Sequence, residues 1–88
     1  MNISVEISMY PLTKNYESPI VKFIDQLNQH EGIKIITNTM STQIFGNYEL
    51  VMKALTPEIR AAFMAEPTTI MVLKIINADL TPPKDVKK

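Results

Sequence analysis

The sequence predicts an α+β sandwich of order β-α-β-β-α-β, with two helices on one face of a four-stranded antiparallel sheet. Three observations predict it. Apolar and polar residues alternate from Ile3 to Tyr10. The pattern switches to helical spacing twice, after Ser18-Pro19 and after Gly46-Asn47. A hairpin with a short polar turn joins the two resulting β-α-β halves.

In the first strand, Ile3, Val5, Ile7 and Met9 share one face, and Ser4, Glu6, Ser8 and Tyr10 share the other. Pro11 ends it by withholding a ladder donor. Leu12 to Glu17 read as a loop. Ser18 is placed as an N-cap and Pro19 as the first helical residue. Ile20, Phe23, Ile24 and Leu27 then form one apolar stripe. Gly32 is placed to close that helix in the left-handed conformation. The second strand runs from Ile33 to about Asn38, and the third from about Thr42 to Phe45. Asn47 can cap a helix bearing Leu50, Val51, Ala54 and Leu55. Ile59, Ala62 and Phe63 carry the stripe past Pro57, which favours one kinked helix ending near Glu66. Thr68 to Ile76 is the last strand, apolar on both faces except at Lys74. Two β-α-β halves of this length give the ferredoxin-like arrangement, with the first strand between the third and fourth. Residues 1–80 read as a single domain and residues 81–88 as a solvated, flexible tail.

Composition narrows the function. The chain has 88 residues, 45% hydrophobic and 20% charged, which is one globular domain. A formal net charge of zero leaves no electrostatic footprint for nucleic acid or an anionic membrane. The absence of cysteine excludes a disulfide framework, zinc knuckles and thiol catalysis, and fits a cytoplasmic protein. No secretory signal opens the chain, and no apolar run is long enough to span a bilayer. His30 is the single histidine, placed near the end of the first helix where it complements the dipole. With two glycines, no phosphate-cradling loop is possible. No His/Asp/Glu group has metal-ligand spacing. The expectation is a protein that is not an enzyme and holds no metal or cofactor.

The alternation also assigns the sheet faces. Ile3, Val5, Ile7, Met9, Ile33, Ile35, Ile44, Met71, Leu73 and Ile75 are expected under the helices. The opposite face receives Ile36, Phe45, Ile70, Val72 and Ile76, an apolar patch that soluble monomers avoid. Self-association through that face or its edge is therefore expected, with Glu6 and Lys74 able to pair across neighbouring strands.

The turn between the second and third strands gathers Thr37, Asn38, Thr39, Ser41 and Thr42 around Met40. Neutral hydrogen-bonding groups between two apolar strands suit a neutral or weakly polar small ligand. An ordinary hairpin has the same composition, and Met40 could either line a pocket or fold back as a plug. The fold brings Tyr10-Pro11 to the same end of the sheet. Ser8, Tyr10, Thr37, Asn38, Met40 and Thr42 are accordingly the candidate ligand-binding residues.

Val5-Glu-Ile-Ser-Met-Tyr-Pro-Leu12 and Asn38-Thr-Met-Ser-Thr-Gln-Ile-Phe-Gly46, read together, resemble the thiamine-binding protein family. The resemblance runs from Ile3 to Ile76. It implies the ferredoxin-like fold, assembly into dimers or tetramers through the sheets, and binding of thiamine or its hydroxymethylpyrimidine portion without turnover. Met40 and Thr42 match the family's turn, and Tyr10 with Pro11 matches its first-strand exit. Asn38, Thr39 and Ser41 stand where the family usually has glycine and proline. Thiamine also carries a cationic thiazolium, for which Glu6 or Tyr10 is the expected neighbour. The alternative reading is a ferredoxin-like oligomeric regulatory module that binds another metabolite or serves a structural role.

Overall fold

A computed structural model describes residues 1–66 and 68–83. Its elements are β1 (Asn2–Pro11), α1 (Glu17–Leu27), β2 (Ile33–Thr37), β3 (Thr42–Asn47), α2 (Tyr48–Ala65) and β4 (Thr69–Ile76). The strands form one antiparallel sheet of order β2-β3-β1-β4, so β1 lies between β3 and β4 as the sequence predicts. The register sets Val5 between Ile44 and Ile75, and Glu6 between Gln43 and Lys74. Ile3, Val5, Ile7 and Ile44 on the sheet close over Phe23 and Leu27 of α1 and Val51, Ala54 and Leu55 of α2. Each of these is at least nine-tenths buried.

Local chemistry explains some of the element ends. Asn47 caps α2: its side-chain carbonyl accepts from the Glu49 N–H at 3.0 Å. α2 runs unbroken through Pro57. At α1 the expected cap is not formed. The helix starts at Glu17, ahead of Ser18, and no side chain caps it. Pro19 is still accommodated, because first-turn N–H groups have no intrahelical acceptor to lose. Nor does Gly32 close α1. The helix stops at Leu27, and the Asn28 side-chain amide donates to the Ile24 carbonyl at 2.9 Å. Gly32 adopts φ 82° at the entry to β2, and a Cβ there would sit 2.9 Å from the Leu50 side chain. Its left-handed conformation thus serves the turn into the strand.

Three burial expectations are corrected. The alternation places Leu73 and Ile75 in the core, yet they are 36% and 50% exposed. β4 is the edge strand beyond β1, and the helices make their main contacts with β1 and β3. Leu50 and Phe63 of α2 are likewise exposed rather than part of the packed stripe. Phe45 lies on the open face, as the alternation predicts, but is only 5% exposed.

The chain beyond β4 supplies part of that cover. The Ser4 hydroxyl donates to the Ala78 carbonyl at 2.7 Å and accepts from the Leu80 N–H at 2.9 Å. These bonds fix residues 77–80 as a strap over the Ser4 end of the open face. Leu80 and Phe45 line one shallow depression there. Ser4, expected on the open face, is buried as a result. Asp79 shapes the following turn, accepting from the Thr81 N–H and hydroxyl. The tail expected over 81–88 begins in irregular structure at 81–83, and its remainder lies outside the described residues.

Candidate functional site

Past Ile7, β1 leaves β3 behind. Ile7 faces Thr42, the first residue of β3, whereas Ser8 to Pro11 pair with β4 alone. The shorter β2–β3 hairpin and the longer β1 leave a notch at that end of the sheet. α1 roofs it with Ile20, Phe23 and Ile24. The result is a cavity of about 480 Å³, within the size range of small-molecule sites.

All six residues nominated from the sequence line this cavity: Ser8, Tyr10, Thr37, Asn38, Met40 and Thr42. They come from two segments far apart in the chain. Met40 is 84% exposed, so it stands at the rim and does not plug the cavity. Tyr10 is half-exposed beside it, whereas Thr42 is buried in the floor. Sequence reasoning missed the wall contributed by Tyr16, Ile20 and Ile24. The helical stripe was a signal for core, and only the missing stretch of β3 turns part of it toward a cavity.

Hydrogen bonds show what these groups already do. The Asn38 side-chain carbonyl accepts from the N–H groups of Met40 and Ser41, at 2.8 and 3.1 Å. This is an Asx-type turn, which holds the loop without glycine or proline. Thr37 and Thr42 place their hydroxyl oxygens 3.2 Å apart. The Ser41 hydroxyl donates to Glu6 at 3.0 Å, and Lys74 approaches the same carboxylate at 3.4 Å. The expected Glu6–Lys74 pair therefore forms. Glu6 does not line the cavity, so it is no neighbour for a cationic ring there.

The Ser41 hydrogen bond and the Lys74 ammonium hold the Glu6 carboxyl below its ordinary value of 4.5. A lowered folded value means that the link stabilises the turn above pH 4.5 and is lost as pH falls through the folded value. Amide exchange at Ser41, corrected for its intrinsic rate, should therefore accelerate on acidification below that point. Constant protection would show that Glu6 does not hold the turn.

His30 lies past the end of α1, and its Nε2 is 2.8 Å from Glu58 of α2. It ties the helix exit to the neighbouring helix. A second depression, of about 390 Å³, lies between α1 and α2 around Lys22, Gln26 and Glu66. It contains none of the six nominated residues. Among the described residues no group of three His, Asp or Glu could hold a metal ion, and no helix is long and apolar enough to cross a membrane.

No family model matches the chain, and no curated protein matches it either. Solved structures do. A structural-genomics protein from Streptococcus pneumoniae superposes with a TM-score of 0.82 at 18% identity, covering 91% of this chain and 90% of that one. The chain shares its fold with that protein. A Thermotoga maritima protein, proposed to serve thiamine biosynthesis or salvage, gives 0.79 at 18% identity over 92% and 90%. A domain of unknown function, DUF77, from Bacillus cereus gives 0.71 at 20% identity over 97% and 84%. At such identities the likeness carries the ferredoxin-like α+β fold over nearly the whole chain.

Proposed function

We propose that this protein binds a small planar molecule of the pyrimidine type, without turnover, as a carrier or sensor in the cytoplasm. The hydroxymethylpyrimidine portion of thiamine is the leading candidate. One observation carries the reading: the residues nominated from the sequence converge on a single cavity of about 480 Å³. The cavity pairs aliphatic and aromatic walls with hydroxyl and amide groups, as a flat heterocycle requires. Among the described residues no charged side chain lines it, which favours the neutral pyrimidine over the cationic thiazolium of intact thiamine. The Thermotoga maritima neighbour, proposed for thiamine biosynthesis or salvage, is consistent with that ligand class.

Self-association belongs to the same reading. Tyr10, Ile70 and Val72 remain exposed on the half of the open face that the strap leaves uncovered, and Leu73 and Ile75 are exposed on the other side of the same edge strand. A strand that is apolar on both faces and open along one edge is suited to a second copy of this chain.

Titration calorimetry with hydroxymethylpyrimidine tests the binding. Thr42→Val should weaken it by about 1 kcal/mol or more, through the lost hydroxyl. Unchanged affinity in that variant would move the ligand out of the cavity floor.

A further inference from the structure

The hydrogen-bonding parity of β1 is fixed at both of its ends. Tyr48 N–H donates to the Met1 carbonyl at 2.9 Å, in the register that sets Asn2 opposite Asn47. Odd-numbered residues of β1 therefore turn their backbone polar groups toward β3. Leu12 N–H donates to the Thr68 carbonyl at 2.9 Å, in the register that sets Pro11 opposite Thr69. Even-numbered residues accordingly face β4.

β3 begins at Thr42, opposite Ile7. The next odd residues of β1 are Met9 and Pro11, and their backbone groups point into the lane that β3 does not fill. That lane is the cavity, which both residues line. Pro11 has no N–H to offer. Met9 has both an N–H and a C=O, and it is only 9% exposed. A continued ladder would set Met40 opposite Met9, but the Met40 N–H is held by Asn38 at 2.8 Å. Among the described residues, neither backbone group of Met9 has a partner across this lane. Backbone groups in native structures are paired with protein or with whatever enters beside them, so this pair is open to a molecule that fills the lane.

The side chains reinforce the point. Thr37 and Thr42 face each other, the Asn38 carbonyl holds the turn, and Ser41 is turned to Glu6. Beside the hydroxyls of Ser8, Tyr10 and Thr39, which also line the cavity, the Met9 backbone sets a donor and an acceptor side by side.

We infer that the free edge of β1 at Met9 is the recognition element of this cavity. In an extended strand the N–H and C=O of one residue point the same way. They match a planar heterocycle carrying a hydrogen-bond acceptor beside a donor, as an aminopyrimidine does with its ring nitrogen and exocyclic amine. The turn at residues 38–41 blocks one end of the lane, and Pro11 withholds a donor at the other, so an added peptide strand would find a single complete partner residue. This inference rests on the binding reading above and adds the group that selects the ligand.

The test is a solution NMR titration of the full chain, labelled with ¹⁵N and ¹³C. The probes are 4-amino-5-hydroxymethyl-2-methylpyrimidine and its 4-dimethylamino analogue, which lacks the donor. On saturation with the first, the Met9 amide proton should shift downfield and exchange with water at least about tenfold more slowly, and the analogue should bind about tenfold more weakly. If the aminopyrimidine moves the Thr37–Thr42 signals while the Met9 amide stays in place and both probes bind equally, backbone recognition is overturned and the cavity reading stands. If neither probe moves any cavity signal at millimolar concentration, both fall.

Discussion

Truncation after Ile76 is expected to lower the unfolding free energy by about 1–2 kcal/mol, the order of the hydrogen bonds to Ser4 and part of the Phe45 side chain returned to water. The strap formed by residues 77–80 is held by two hydrogen bonds to Ser4, and its Leu80 shares a depression with Phe45 on the open face. Without it, Phe45 and Ser4 lose that cover, and the apolar area available to a second copy grows. Urea unfolding of the full and truncated chains, with light scattering to follow assembly, checks both consequences. An unchanged midpoint and an unchanged mass would show that the strap rests on the sheet without contributing.

The second large effect concerns binding. Ile24→Trp should abolish hydroxymethylpyrimidine binding, with at least about a hundredfold loss, because an indole placed on the α1 wall fills the space a ligand ring would take. Ile24 is half-buried and lies outside the fully buried core, so the fold should persist. Circular dichroism separates the two effects. Retained binding in a folded variant would place the ligand elsewhere.

These two positions also mark what the sequence could and could not convey. Alternation in β1 was legible because one face packs on helices along its length, and a period of two survives as pattern. The burial of Ser4 was not, since it depends on chain more than seventy residues away returning across the sheet. β4 misled for a related reason. Apolar residues on both faces suggest a covered strand, but β4 stands at the sheet edge, where the helices do not reach Leu73 and Ile75. Ser18-Pro19 fits two helix frames, because proline is tolerated throughout the first turn.

The candidate site shows the same division. Convergence of Tyr10 and the Thr37–Thr42 turn follows from strand order alone, so it was open to sequence reasoning. Which polar groups remain free does not follow from it. Asn38 and the threonine pair stand among the candidate residues for their chemistry, with Ser41 beside them in the turn, yet the geometry commits most of that chemistry to holding the turn. The unequal lengths of β1 and β3, which create the notch and free the backbone of Met9, are visible only once the register is known.

The most direct measurement is a crystal structure of the full chain grown with hydroxymethylpyrimidine. Ligand density is expected between β1, the 37–42 turn and α1, with the ring beside Tyr10 and its polar edge toward Met9. Density confined to the depression between α1 and α2, or none at saturating ligand, would contradict the account.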